Sequence, residues 1–178
     1  ATHRLCNIML QDSAHIQEQE AEWQNRKAER SGYQQYIPVY TVADALESLK
    51  LFEGHGYNKP VEIFEGVTIN FCDAGHLLGS SSIHITVNEN GEERTVLFSG
   101  DLGNIDRPLI RNPQNPPYAD YVVIESTYGD RVHGERPDYI AQLTKIMQET
   151  FSKGGNLVIP SFAIGRTQEL LYLFRTIK

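Results

Sequence analysis

The chain has 178 residues, 40% of them hydrophobic, which is enough for one ordinary domain core. Sixteen Lys and Arg residues against twenty-three Asp and Glu residues give a formal net charge of −7. This balance excludes binding to nucleic acid through a generally basic surface. Phosphate groups would have to be attracted by a local positive groove or by a bound cation.

The two cysteines, Cys6 and Cys72, lie far apart in apolar settings. We expect two free, buried thiols in a reducing compartment. The sequence contains no signal peptide and no apolar run of membrane length. We therefore predict a cytoplasmic protein that has no membrane partner.

Two helices are predicted at the start of the chain. Apolar residues recur at helical spacing from about Leu5 to Arg30, and Ser31-Gly32 is expected to end this helix. The second helix begins at Thr41, which forms a capping-box pattern with Asp44, and continues toward Phe52.

Strands follow from residue 61. Apolar and polar residues alternate over 61–71 around a Glu65-Gly66 turn, and again over 82–87. Residues 88–91 are typical of a tight hairpin turn, and 95–98 form the returning strand. The continuous apolar run 121–124 predicts a strand that is buried on both faces.

The last third of the chain alternates between helices and strands. Four prolines make 107–118 a loop. A helix is predicted over 140–151 and ends at Gly154-Gly155, followed by a short buried strand at 157–159 and a helix from Leu170. Together these elements indicate an α/β fold.

Three segments carry side chains suited to chemistry, and each comes where a predicted strand ends. His76 lies in a glycine-flanked loop, Asp101 follows Ser99-Gly100, and Glu125 follows the run 121–124. We expect all three to line one edge of a single sheet, which is where open α/β sheets build sites.

Each of the three has a functional and a structural interpretation. The imidazole of His76 is a good zinc ligand, but a loop histidine bonded to backbone is the simpler explanation. Asp101 has two oxygens that could bridge two cations, or it could cap a turn. Glu125 is harder to explain structurally, because a buried carboxylate is costly unless it is paired or bound to metal. We interpret His3, His15, His55 and His84 as surface or core histidines.

Four segments, taken in order, resemble the metallo-β-lactamase fold nucleases that carry a β-CASP domain, nearest to the bacterial and archaeal RNA-processing enzymes. The segments are 73–76, 99–103, 125–130 and 159–170. The resemblance implies a partial metallo-β-lactamase-like αββα sandwich over 1–131. The first βα elements of a β-CASP domain would follow over 132–178.

The resemblance also implies a zinc-dependent ribonuclease that hydrolyses phosphodiester bonds in single-stranded RNA. His76 would be a zinc ligand, Asp101 would bridge two zinc ions, and Glu125 would be the acidic catalytic residue beside them. Ser161 and Arg166 would hold a substrate phosphate at a helix N-terminus, or would instead pack between domains. His133 receives no role.

The sequence departs from the family pattern in one important respect. The family's H-x-H-x-D-H signature is absent, and so are its later histidine motifs. Because a catalytic zinc normally has three protein ligands, we expect this chain by itself to be inactive and a weak metal binder. Open sheet edges make a homodimer possible. The alternatives are a lactamase-fold hydrolase of another ester and a non-catalytic scaffold that has lost its ligands.

Overall fold

The computed structural model describes residues 1–28, 35–132, 134 and 138–177. The chain forms, in order, α1 (Thr2–Ala28), α2 (Val42–Leu49), β1 (Val61–Phe64), β2 (Val67–Asp73), β3 (Ser81–Glu89), β4 (Glu92–Phe98), β5 (Tyr121–Val123), α3 (Tyr139–Ser152) and α4 (Arg166–Thr176). This confirms the predicted α/β class. The αββα layering and the domain boundary at residue 131 stay predictions.

The five strands form one sheet in the order β1-β2-β3-β4-β5. The first four strands are antiparallel, and β5 pairs with β4 in parallel. Asn90 and Gly91 both have positive φ, 53° and 83°, as a two-residue hairpin turn of the predicted kind requires. Because β2, β4 and β5 all run in the same direction, their carboxyl ends lie at one edge of the sheet.

Helices α1 and α2 pack against each other through small side chains. Ala14 and Ala21 of α1 and Ala45 of α2 are buried. The predicted capping box is confirmed, since Thr41 and Asp44 each accept a hydrogen bond from the other's backbone N–H. The predicted continuation to Phe52 is wrong. The N–H groups of residues 50–52 bond three residues back, so the last turn tightens and the α-helix ends at Leu49.

Two predictions of buried strands are wrong. Strand β5 is exposed on both faces, with Val122 56% and Val123 54% accessible, because no helix covers it in the described part of the chain. Residues 157–159 form no strand, and Val158 is 82% exposed. None of the described residues of α3 and α4 is buried.

The remaining polar and thiol side chains mostly follow expectation. His84 is buried, and its Nε2 lies 2.9 Å from the carbonyl oxygen of Tyr118, so its role is structural as predicted. Both cysteines are free, but only Cys72 is buried, whereas Cys6 is half-buried. No described helix is long and apolar enough to cross a membrane. The predicted end of the first helix at Ser31-Gly32, and His133, lie outside the described residues.

Candidate functional site

The three predicted site residues lie at one edge of the sheet. His76 follows β2, Asp101 follows β4 and Glu125 follows β5, and these three strands run in the same direction. The expectation that they share an edge is therefore confirmed. The chemical role of each residue is a separate question, which depends on local geometry.

The loop that carries His76 is fixed by its own side chains. The carboxylate of Asp73 accepts a hydrogen bond from the N–H of Gly75, at 2.9 Å. The Ser80 hydroxyl oxygen accepts from the N–H groups of His76 and Leu77, at 3.0 and 3.1 Å. These bonds order the backbone on both sides of His76.

The loop after β4 crosses the loop after β2 at close range. The N–H of Gly103 donates to the carbonyl of Ala74 at 2.8 Å. A Cβ atom at position 103 would lie 1.7 Å from the carbonyl oxygen of Gly75 and 2.6 Å from the backbone nitrogen of His76. Glycine is required here because the two backbones touch. This crossing brings the segment with Asp101 next to the one with His76.

His76 and Asp101 face each other across this crossing. Nε2 of His76 is 4.0 Å from Oδ2 of Asp101, and their side chains are 38% and 76% exposed. Typical zinc bond lengths place two tetrahedral donors about 3.4 Å apart, so this pair would have to close by about 0.6 Å to share an ion. The donor types suit two ligands of one metal, and the shift that the spacing requires is small.

The pair does not make a complete metal centre. Among the described residues, no group of three or more His, Cys, Asp and Glu side chains could hold a metal ion. A catalytic zinc normally has three protein ligands and an open position. The residues described thus fit part of a zinc site, and no reaction step can be derived through a metal held by them alone.

Glu125 is bonded to the loop that carries Asp101. Its carboxylate accepts hydrogen bonds from the N–H of Leu102 and from the Thr127 hydroxyl, the latter at 2.7 Å. The bond from Leu102 is the main reason that the pKa of Glu125 lies below its ordinary value, with Thr127 next and a smaller contribution from His76. An ionised carboxylate that is already bonded is suited to orienting its neighbours.

Ser99 joins the strands beneath the site, a role that sequence reasoning missed. Its hydroxyl oxygen accepts from the N–H of Glu125 at 3.0 Å, and its own N–H donates to the carbonyl of Val123 at 2.9 Å. The hydroxyl of Ser82 donates to the carbonyl of Ser99 at 2.8 Å. Ser82 and Ser99 are both 4% exposed. Ser99 therefore ties β3, β4 and the start of the Glu125 segment together.

Arg107 connects the His76 loop to helix α4 and was also missed. Its Nη1 donates to the carbonyl oxygen of His76 at 3.2 Å, and its Nη2 forms an ion pair with Glu169 in the first turn of α4. The side chains of Arg107 and Glu169 are 24% and 15% exposed. Their 62-residue separation leaves no local sequence signal for this contact.

Ser161 and Arg166 lie at the turn into α4. The hydroxyl oxygens of Ser161 and Thr167 are 3.1 Å apart, and the Gln168 side chain accepts from the N–H of Gly165 at 2.7 Å. Arg166 is the first residue of α4, and its Nε lies 3.6 Å from Oε2 of Glu169. Arg166 lies beside Glu169, whose ion pair with Arg107 leads to the carbonyl of His76. Ser161 has no such link, because its hydroxyl contacts Thr167 within the same turn.

The sequence of the chain is similar to those of several named ribonucleases. No family model matches the chain. It is 40% identical over 144 residues to "Ribonuclease TTHA0252" of Thermus thermophilus, covering 78% of this chain and 31% of that protein. It is 33% identical over 138 residues to the "RNase J-like protein" of Methanocaldococcus jannaschii, covering 76% of this chain and 32% of that protein.

A eukaryotic protein matches over a similar length. The chain is 32% identical over 138 residues to "Cleavage and polyadenylation specificity factor 73" of Drosophila melanogaster, covering 76% of this chain and 19% of that protein. The chain thus spans about a third or less of the length of these curated relatives. By sequence, the chain is a homologue of the ribonucleases of the metallo-β-lactamase, β-CASP family.

Proposed function

We propose that this chain supplies part of the active site of a metal-dependent ribonuclease that hydrolyses phosphodiester bonds in single-stranded RNA. The observation that carries the proposal is the meeting of His76, Asp101 and Glu125 at one sheet edge in a homologue of named ribonucleases. The net charge of −7 supports a bound cation, because an acidic surface does not attract phosphates unaided.

In this proposal His76 and Asp101 are metal ligands, with zinc as the metal and Asp101 bridging two ions. A metal at this position would polarise the scissile phosphate and lower the pKa of a bound water. The imidazole and carboxylate donors and their 4.0 Å separation support this assignment. Because the described residues supply two ligands, the chain alone should bind zinc weakly and should not cleave RNA.

Glu125 is proposed to act on Asp101 through the backbone. Its carboxylate accepts the N–H of Leu102, the residue directly after Asp101, and so holds that loop in place. Because the loop is already ordered, little conformational entropy is lost when the Asp101 carboxylate takes up its position beside His76. This role differs from proton transfer, for which the lowered pKa of Glu125 is poorly suited.

Ser161 and Arg166 are proposed to contact an RNA phosphate. Arg166 is 68% exposed at the first turn of an 11-residue helix, where backbone N–H groups and a guanidinium favour an anion.

The αββα layering over 1–131, a β-CASP segment over 132–178 and a homodimer through exposed sheet edges belong to the same proposal. A cytoplasmic location stays a prediction from the sequence.

The proposal is tested by cleavage of a labelled single-stranded RNA in the presence of Zn²⁺. The purified chain should be inactive, whereas the complete reading frame that contains it should cleave. Changing a residue that only hydrogen-bonds to a metal ligand typically lowers activity about 10- to 100-fold. Loss of a ligand itself, in His76→Ala or Asp101→Asn, should therefore lower kcat by at least about 100-fold.

The matched control is His15→Ala, because His15 is an exposed histidine on α1. This variant should retain full activity. Cleavage that survives both His76→Ala and Asp101→Asn would contradict the assigned ligands. An enzyme that hydrolyses small esters but not RNA would favour the alternative hydrolase, and a complete reading frame with neither activity would favour the scaffold.

A further inference from the structure

The start of α4 is linked to the His76 loop at two places, once through the Arg107 side chain and once through Gly165, the residue directly before the helix. The first is polar: Arg107 donates to the carbonyl of His76 and pairs with Glu169 in α4. The second is apolar: Leu77 lies against Gly165, where an added Cβ would come within 2.8 Å of Leu77 Cδ2. The start of α4 is thus linked to the His76 carbonyl through Arg107, and it lies against the side chain of the next residue, Leu77.

The polar contact is well placed to control orientation. A guanidinium presents several N–H groups in a rigid plane, so one Arg107 nitrogen can hold a carbonyl while another holds a carboxylate. Glu169 is 15% exposed and lies 3.6 Å from Arg166 as well, so its charge is compensated from two sides. By contrast, the ion pair of Arg94 with Glu92 is 61% and 77% exposed.

We infer that Arg107 and Glu169 form a clamp through which α4 positions His76 for its role in the site. Arg107 fixes the plane of the peptide that contains the His76 carbonyl, and this plane helps to set the direction in which the imidazole leaves the backbone. Arg107 is therefore a positioning residue, not a catalytic one. The inference rests on the proposed function for the meaning of His76, but the coupling itself can be measured without a metal.

The coupling is tested by amide hydrogen exchange in the purified chain. Arg107→Met removes both donors and keeps the aliphatic stem, while Glu169→Gln removes the charge and keeps the shape. Each should raise the exchange rates of the His76 and Leu77 amides about fivefold to tenfold, the equivalent of one lost hydrogen bond. Exchange at Ile85, in the middle of β3, should not change.

Arg94→Met is the matched control, since it removes an arginine from an exposed ion pair on β4. It should leave loop exchange unchanged. The imidazole NMR resonances of His76 should shift in Arg107→Met while those of His15 stay in place. Unchanged loop exchange in both clamp variants, or exchange raised equally at Ile85, would overturn the inference.

Arg107→Lys provides a second test if Arg107→Met does not fold. An ammonium on a flexible stem replaces the rigid fork, so loop exchange should lie between those of wild type and Glu169→Gln. Wild-type exchange rates in this variant would count against the clamp.

Zinc titration separates the clamp from the proposed function. The Zn²⁺ dissociation constant should rise severalfold in Arg107→Met but not in Arg94→Met. If His76→Ala leaves zinc binding unchanged while loop exchange responds to Arg107→Met, the assignment of His76 as a ligand fails and the clamp stands. If zinc binding and loop exchange are both unaffected by Arg107→Met, the clamp fails and the metal proposal stands.

Discussion

Replacing Gly103 with alanine tests the crossing of the two site loops. A Cβ atom at this position would lie 1.7 Å from the carbonyl oxygen of Gly75, with the Gly75 carbonyl carbon at 2.1 Å. A carbon and an oxygen normally keep about 3.3 Å apart, so the loops would have to separate by about 1.6 Å. The hydrogen bond from the Gly103 N–H to the carbonyl of Ala74, 2.8 Å long, would then break.

The expected cost combines the strain and the lost bond. Overpacking of a well-packed contact costs about 1–3 kcal/mol, and a lost backbone hydrogen bond costs about 1 kcal/mol. Gly103→Ala should therefore lower the free energy of unfolding by about 2–4 kcal/mol. With a urea m-value of about 2 kcal/mol/M, the unfolding midpoint falls by about 1–2 M.

Urea unfolding followed by circular dichroism measures this shift. Gly134→Ala is the matched control, because a Cβ at position 134 meets no atom of the described residues within 4 Å and neither glycine has a left-handed φ. The control should stay within about 0.5 kcal/mol of wild type. Equal midpoints for Gly103→Ala and Gly134→Ala would refute the close crossing, and with it the geometry that brings His76 to Asp101.

Three further predictions concern parts of the chain outside the site. Thr41→Ala removes the side-chain cap of α2 and should lower the free energy of unfolding by about 1 kcal/mol; an unchanged urea midpoint would contradict this role. The N–H and hydroxyl of Thr95 hold the pKa of Asp120 below its ordinary 3.8. The ionised Asp120 carboxylate therefore stabilises the fold above pH 3.8, and this stabilisation is lost as the pH falls through the lower pKa of the folded state. Asp120→Asn should thus make the free energy of unfolding fall less steeply between about pH 5 and pH 2. Burial raises the pKa of the Cys72 thiol, so a thiol reagent should modify Cys6 first and reach Cys72 only after unfolding, and rapid modification of both would contradict the burial.

Local signals in the sequence predicted local structure correctly. The capping pair Thr41 and Asp44 and the hairpin turn at Asn90 and Gly91 act over a few residues, and both are present as expected. The end of α2 was missed because the choice between an α-helical and a tighter last turn, at residues 50–52, depends on small differences in hydrogen bonding.

Burial could not be predicted in the same way. The run 121–124 has the composition of a strand covered on both faces, but exposure depends on what packs against it. No described helix packs on β5, so its apolar side chains remain accessible. The same applies to 157–159, which form no strand.

The site was partly predictable because strand direction follows from chain order. Two antiparallel pairings, joined by the loop 74–80 and the turn 90–91, make β2 and β4 run in the same direction, which places His76 and Asp101 at one edge. The contact between Arg107 and Glu169 depends on where α4 comes to lie relative to a proline-rich loop. No spacing rule relates those two positions, so only the folded chain reveals the contact.

The way β5 joins the sheet has a consequence for the order of folding. Strands β2, β3 and β4 are neighbours in sequence and pair through short connections, whereas β5 reaches β4 only after the crossover at 99–120, which contains no helix. Closing this longer loop costs more conformational entropy than closing the connections between β2, β3 and β4, and only the three residues of β5 pair with β4 to offset this cost. The β2–β4 meander should therefore form first, with the loops that carry His76 and Asp101, and the β5 side that carries Glu125 should be the last part to close and the first to open.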